Sequence, residues 1–277
     1  MAADNLSLAG KTAIVTGSGR ENGIGAAIAT ALAQNGAAVT INYVSDASEP
    51  RSANVVKTIR DLGGKAIAVR ADVSVPDEAK RLVSETLKAF GTDHIDILVN
   101  NAGSGWPHST LDISKAELEA MFTSNVFGAI FQTQATVPHM PKGGRIVNIT
   151  SIASKMGMAA SPMYGASKAA LDSLTFTWAR EVSSNRTAGL EATLTPDQFG
   201  LSKGITVNAV APGPVMTDFV SAGEVEMDFT AFLDMTRAER RVGTAQDIAD
   251  IVLLIVQEKA RWMTGQYVSA SGGITGQ

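Results

Sequence analysis

The stretch VTGSGRENGIG, residues 15–25, decides how this chain is read. It follows the apolar run KTAIVTG (11–17) and opens residues 23–35, where Ile24, Ile28, Ala31 and Leu32 recur at helical spacing. A glycine-rich turn leading from a buried strand into a helix is the setting of a dinucleotide-binding loop. Gly17 can make the tight turn, Gly23 can let the backbone approach a pyrophosphate, and Gly25 can let the helix pack closely on the strand. The helix start adds free N–H groups and the positive end of a dipole. Gly17 and Gly23 are six positions apart, however, with Arg20, Glu21 and Asn22 just before Gly23. Spacing alone leaves two readings, a phosphate loop carrying an insertion or a glycine-rich turn of no consequence.

Outward from this stretch, short apolar runs alternate with helical segments. Strands are predicted over 11–17, 37–43, 65–72, 95–100, 144–151, 204–212 and 265–271. Helices are predicted over 23–35, 50–62, 76–90, 114–139, 162–183 and near 245–257. Continuously apolar strands in a βαβ alternation belong to a parallel sheet covered on both faces. The expectation is one α/β domain over 1–277, a doubly wound parallel sheet of about seven strands. Two segments break the rhythm. Residues 184–203 read as a surface insertion. Residues 214–242, with Val220, Met227, Phe229, Phe232, Leu233 and Met235, follow the C-terminal end of a strand, where ligands of open α/β sheets bind, and read as a substrate lid.

Composition narrows the function classes. A net charge of −4 gives no electrostatic footprint for nucleic acid. The chain has no cysteine, which excludes disulfides, thiolate metal sites and cysteine nucleophiles and fits a reducing compartment such as the cytoplasm. His94, His108 and His139 lack metal-ligand spacing, so no metal is expected. No secretory signal or membrane span is read from the sequence.

Two further clusters carry chemistry. Nineteen residues after Gly23, where an acidic side chain would meet a free ribose 2′-hydroxyl, stands Asn42, followed by Tyr43 and Ser45. A neutral strand end with Arg20 in the loop suits a 2′-phosphate, hence NADP(H) over NAD(H), although Asp46 is near enough to complicate this. In SPMYGASKAALDSL (161–174), Tyr164 and Lys168 stand four apart and share a helix face, beside which a cation would lower the phenol's high pKa. Ser151 ends a strand thirteen residues before Tyr164, and Asn125 is an amide inside an apolar helix.

These motifs together resemble the short-chain dehydrogenase/reductases, in particular the single-domain branch with 3-oxoacyl-carrier-protein reductases and fungal naphthol and anthrol reductases. The resemblance runs from about residue 8 to 274. It rests on the loop 16–25, ADV at 71–73, NNAG at 100–103, Asn125, Ser151, YGASK at 164–168, PGPVMTD at 212–218 and SGG at 271–273. It implies a Rossmann fold in which Tyr164 exchanges a proton with a carbonyl oxygen. Lys168 lowers the tyrosine pKa and binds the nicotinamide ribose, Ser151 orients the carbonyl, and Asn125 holds the water of a proton relay. It also implies a cofactor cleft formed by Gly17, Ser18, Arg20, Gly23, Ile24, Gly25, Asn42, Tyr43, Ser45, Asp72, Val73, Asn101, Ala102, Gly103, Tyr164, Lys168, Pro212, Gly213, Val215 and Thr217.

The loop then reads as a phosphate loop in which Glu21 and Asn22 are inserted. Ser104, Trp106, Met156, Met158, Pro162 and Met163 are expected to line the pocket of a bulky, hydrophobic, polyketide-like carbonyl substrate of secondary metabolism. A homo-oligomer, tetramer or dimer, is implied, with helices 114–139 and 162–183 at an interface. The alternative is a non-redox cyclisation or dehydration with the bound cofactor as scaffold.

Overall fold

Seven strands, all parallel, lie in the order β3-β2-β1-β4-β5-β6-β7. They are β1 (Thr12–Val15), β2 (Ala38–Tyr43), β3 (Lys65–Arg70), β4 (Ile97–Asn100), β5 (Arg145–Ile149), β6 (Thr206–Pro212) and β7 (Tyr267–Ala270). The computed structural model describes residues 6–159, 161–183, 204–218 and 229–275. The predicted insertion 184–203 and the lid residues Val220 and Met227 lie outside them.

Helices α1 (Ile24–Gln34), α2 (Glu49–Asp61) and α9 (Ala245–Ile255) cover one face. The other carries α3 (Pro76–Phe90), α5 (Gly128–Thr136) and α7 (Pro162–Ser183). The central strands β1, β4, β5 and β6 are buried throughout, which is why apolar residues dominate each of them, with Asn100, Asn148 and Asn208 as buried amides among them. Side chains alternate between the two cores: Val15, Val99 and Val147 go to the first, Ile14, Leu98 and Ile146 to the second. β3 is an edge strand with Lys65 and Arg70 exposed, as an edge exposed to water requires.

The strand order reverses between β1 and β4, leaving a crevice at their C-terminal ends, where ligands of such sheets bind. Below it, Asn100 at the end of β4 donates to Asn148 Oδ1 of β5 (2.9 Å) and to Thr133 Oγ1 of α5 (3.1 Å). Asn148 in turn donates to Thr175 Oγ1 of α7 (2.8 Å). This buried row pins α5 and α7 to the sheet directly beneath the crevice, because each amide would be costly to bury without its partner.

The predicted helix 114–139 is interrupted. It comprises α4 (Lys115–Phe122), a π-turn over Thr123–Phe127, and α5. α4 starts with a capping box in which Ser114 and Glu117 satisfy each other's backbone N–H groups. Two short helices were not anticipated, α6 (Ala153–Met156) and, within the predicted lid, α8 (Thr230–Met235). Among the described residues no helix is long and apolar enough to cross a membrane.

Candidate active site

The loop after β1 is built by contacts that tolerate only glycine. Gly17 has φ +61°, and a Cβ there would lie 2.7 Å from the Ala102 Cα. At Gly25 it would lie 2.5 Å from Asn101 Nδ2 and 2.9 Å from the Ser18 Cα. The amide of Asn101 uses this closeness, donating to the carbonyls of Thr16 (2.9 Å) and Gly17 (3.1 Å). The β1 and β4 loops are thereby joined across the switch point. Gly23 occupies the N-cap of α1 and offers no side-chain cap, and the first turn holds no acidic residue. The first-turn N–H groups at Ile24 and Gly25 and the dipole end therefore remain available to an anion. A pyrophosphate fits this donor set.

The strand end after β2 differs from expectation. Asn42 is buried and turned into the protein, not toward the cleft. Its Oδ1 accepts from the Gly17 N–H (3.1 Å) and its Nδ2 donates to Ala71 O (2.9 Å). Ser18 is likewise fully buried, with its hydroxyl donating to Val15 O (2.6 Å) and accepting from the Asn42 N–H (3.1 Å). Both side chains hold the loop's shape, and the Ser18 N–H is also engaged, donating to Asn42 O (2.9 Å). An Asn42→Ala variant strands the Gly17 N–H and should lose about 2 kcal/mol of stability, read as a lowered urea midpoint. An unchanged midpoint would mean that the loop is held without this amide. Tyr43 and Ser45 lie at the mouth, with Ser45 hydrogen-bonded to Ser48 (2.9 Å). Asp46 is paired with Arg70, so its carboxylate is engaged away from the loop. Arg20 is exposed, and its guanidinium makes no hydrogen bond among the described residues.

The chemistry-bearing side chains converge at the same rim. α7 begins at Pro162, and Gly165 has a would-be Cβ 2.8 Å from Ala153 O, so α7 can close on α6 only without a side chain there. That approach brings the Ser151 hydroxyl into hydrogen bonding with the Tyr164 phenol. Lys168, one turn on, is buried; its Nζ donates to Ile149 O (3.0 Å) and stands 5.8 Å from the Tyr164 ring centre. Gly103 faces both Lys168 Nζ (3.3 Å from a would-be Cβ) and Asn125 Oδ1 (3.0 Å).

Burial dominates the electrostatics. It pushes the Tyr164 phenol above its ordinary value, partly offset by Ser151, so the group stays protonated through neutral pH and can donate. Burial also pushes Lys168 down to about 8, with the charge of Asp172, a further turn along α7, opposing the shift. The lysine remains an ammonium at pH 7, as its expected role requires.

Asn125 sits in the π-turn, fully buried. Its amide donates to Ser104 O (2.8 Å) and Ser167 Oγ (2.9 Å) and accepts from the Ser104 N–H (2.7 Å) and Ser124 Oγ (2.9 Å). Two donors and two acceptor sites exhaust an amide's ordinary capacity. As placed here, Asn125 bolts the 103–104 backbone to α7, and a water ligand would have to displace one of these partners.

The sequence pattern of the short chain dehydrogenases matches residues 11–227, and that described as enoyl-(acyl carrier protein) reductase matches 198–275. The chain is a short-chain dehydrogenase/reductase. It is 37% identical to an uncharacterized oxidoreductase of Methylorubrum extorquens, over 96% of this chain and 98% of that one. It is 34% identical to the hydroxynaphthalene reductase-like protein Arp2 of Metarhizium guizhouense, over 96% of each. Among solved structures, a short chain dehydrogenase from Burkholderia cenocepacia in complex with NADP has a TM-score of 0.80 at 35% identity, covering 96% of this chain and 98% of that one. The angucycline C-6 ketoreductase LanV with bound NADP has a TM-score of 0.82 at 31% identity, covering 98% and 96%.

In this short-chain dehydrogenase/reductase the remaining expected residues lie at or beyond the C-terminal ends of β3, β4, β5 and β6. Asp72 closes a turn by accepting from Ser74 N (2.9 Å) and Oγ (2.6 Å), leaving Val73 buried. Pro212 ends β6, the Gly213 N–H donates to Ala270 O (3.1 Å), and Val215 bridges to Gly243, so the 212–217 segment, with Thr217 buried, is held against β7. Ser104, Trp106, Met156, Met158, Pro162 and Met163 are half-buried, with the Trp106 ring 6.4 Å from that of His108.

Three features went unread in the sequence. Gly19 passes within 2.8 Å of the Tyr43 Cβ, measured from its would-be Cβ. Asp172 continues the four-residue spacing of Tyr164 and Lys168, a signal the sequence did carry. The contacts made by the inserted Glu21 and Asn22 span too much of the chain to be legible.

Proposed function

We propose that this oxidoreductase is an NADP(H)-dependent reductase that interconverts a carbonyl and a secondary alcohol on a bulky hydrophobic substrate. The observation that carries this reading is the convergence of Ser151, Tyr164 and buried Lys168 beside an uncapped helix start. Bound NADPH supplies a hydride for the carbonyl carbon. Tyr164 gives the proton to the carbonyl oxygen and takes it back in the reverse direction, while Ser151 holds that oxygen in place. Lys168, anchored by Ile149 O, holds its ammonium between the phenol and the position expected for the nicotinamide ribose.

Arg20 is the residue that selects NADP(H), supported by a guanidinium that makes no hydrogen bond among the described residues and by the pairing of Asp46 with Arg70. NADP in the two similar structures supports the same choice. The names hydroxynaphthalene reductase-like and angucycline C-6 ketoreductase favour an aromatic, polyketide-type ketone, to which half-buried Trp106, Met158 and Met163 offer a broad apolar wall. A homo-oligomer, in a reducing compartment such as the cytoplasm, completes the reading. Phe127, 46% exposed, and Phe176, 59% exposed, leave apolar surface on the helices expected at the interface.

Titration with NADPH and NADH, followed by nicotinamide fluorescence, tests the cofactor choice. NADPH should bind more tightly, and Arg20→Ala should weaken NADPH about tenfold while leaving NADH within twofold. Equal loss for both would remove the 2′-phosphate role of Arg20. A panel of aromatic ketones followed by NADPH oxidation tests the substrate class, and no turnover with any of them would overturn it.

A further inference from the structure

The insertion that lengthens the phosphate loop is tied to α2 on one side and to Asp218 on the other. Residues 20–23 close a turn, with the Gly23 N–H donating to Arg20 O (2.9 Å). From that turn, the Glu21 carboxylate accepts from Arg51 Nε (2.6 Å) and Asn54 Nδ2 (3.1 Å), both on α2. Arg51 reaches on to pair with Asp218 through Nη2. Asn22 Nδ2 completes the ring by donating to the second oxygen of Asp218 (3.3 Å). Asp218 directly follows Thr217, at the end of the segment that leaves β6. Three stretches far apart in sequence therefore meet over the N-terminus of α1: the loop, the first half of α2 and residues 212–218. One guanidinium is shared between two carboxylates at its centre. Hydrogen bonding with Arg51 holds the Asp218 carboxyl below its ordinary value, and the Glu21 carboxyl is also lowered, with burial opposing, so the network stays charged at neutral pH.

We infer that Glu21, Asn22, Arg51 and Asp218 form a strap across the phosphate section of the cofactor cleft, and that the strap sets how long a bound dinucleotide stays. This rests on the NADP(H) reading above. A cofactor whose pyrophosphate lies on the α1 N-terminus sits under the ring, with the loop on one side and the 212–218 segment on the other. Release then requires the Arg51–Asp218 and Asn22–Asp218 bonds to part. The bonds are partly exposed, with side-chain exposures of 37% for Arg51 and 22% for Asp218, so the strap is breakable on the timescale of turnover and is not a permanent closure.

The experiment compares wild type with Glu21→Gln and Asp218→Asn, which keep the shape of the residues they replace, and with Arg51→Gln, which removes the guanidinium. Two readouts are taken: amide hydrogen exchange of residues 17–25 in the nucleotide-free protein, and the NADPH dissociation rate by stopped-flow fluorescence. The expected result is faster exchange of the loop and NADPH release about fivefold faster in all three variants. If Arg51 is instead a phosphate ligand restrained by its two carboxylates, Glu21→Gln and Asp218→Asn would slow release while Arg51→Gln speeds it, which overturns the strap. Unchanged loop exchange also overturns it, whether or not nucleotide binds. Failure of the wild-type protein to bind NADPH would overturn the cofactor reading itself, a result that the exchange measurement keeps separate.

Discussion

Tyr164→Phe should lower kcat for carbonyl reduction by about a thousandfold while leaving the NADPH dissociation constant within twofold of wild type. The substitution removes one oxygen and keeps the ring that packs between Ser151 and Lys168. General acid catalysis by a positioned side chain typically contributes between about a hundred- and ten thousandfold, and among the described residues no other side chain hydrogen-bonded to the Ser151 hydroxyl offers a dissociable proton. Lys168 remains anchored, because its bond is to Ile149 O and not to the phenol. Retained turnover would assign the proton to another donor. Lost nucleotide binding would mark Tyr164 as a residue that shapes the cleft.

The pH profile gives the companion expectation. Lys168 is an ammonium below about pH 8 in the free enzyme, since burial has brought it down from the ordinary lysine value. The form that carries the positive charge is therefore lost as pH rises, so kcat/KM for reduction should fall above about pH 8. A flat profile through pH 9 would show that the cofactor-free lysine does not limit the reaction.

Gly25→Val is the second change with a large expected effect. A Cβ at this position meets the Ser18 Cα at 2.9 Å and the Gly17 carbonyl oxygen at 3.0 Å as well as the Asn101 amide at 2.5 Å. Two of these three contacts are backbone of the loop itself, which cannot swing aside as a side chain could. Relief requires Gly17–Ser18 to move, and with them the donors aimed at the pyrophosphate. NADPH affinity should drop by at least a hundredfold, with a loss of about 3 kcal/mol in stability from forced packing. Gly63→Ala is the control: φ is +84° there, but a Cβ would meet nothing within 4 Å. It should cost about 1 kcal/mol in backbone strain and leave NADPH binding unchanged. Wild-type affinity in Gly25→Val would show that the loop does not carry the cofactor.

The strands were legible because each central one is buried on both faces and is therefore mostly apolar, its amides Asn100, Asn148 and Asn208 being buried as well. Their ends were less so: β1 stops at Val15 and the following Thr16 and Gly17 already belong to the loop, although the apolar run continues into them. The catalytic spacing was legible because Tyr164 and Lys168 lie on one helix, where four residues fix a face. Asn42 was misleading because distance along the chain placed it near the cofactor, but strand alternation decides whether a side chain faces cleft or core. Its register opposite Val69 puts it inward. The pairing of Arg51 with Asp218 joins positions 167 residues apart, and no local pattern encodes it.

The π-turn at Thr123–Phe127 has a consequence for how this site can change over time. A helix turns about 100° per residue, and one wide turn offsets everything beyond it by roughly one residue. α4 faces α7 while α5 faces α3, and the offset lies between them. Removing a single residue from the wide turn would restore ordinary winding while keeping both flanking helices in their seats. Asn125, on the turn itself, would swing around the axis and release Ser104. The helix thus contains a place where a one-residue length change is absorbed as rotation, so the side chains of the turn, and the 103–104 backbone they hold, can be re-aimed without rebuilding the sheet beneath.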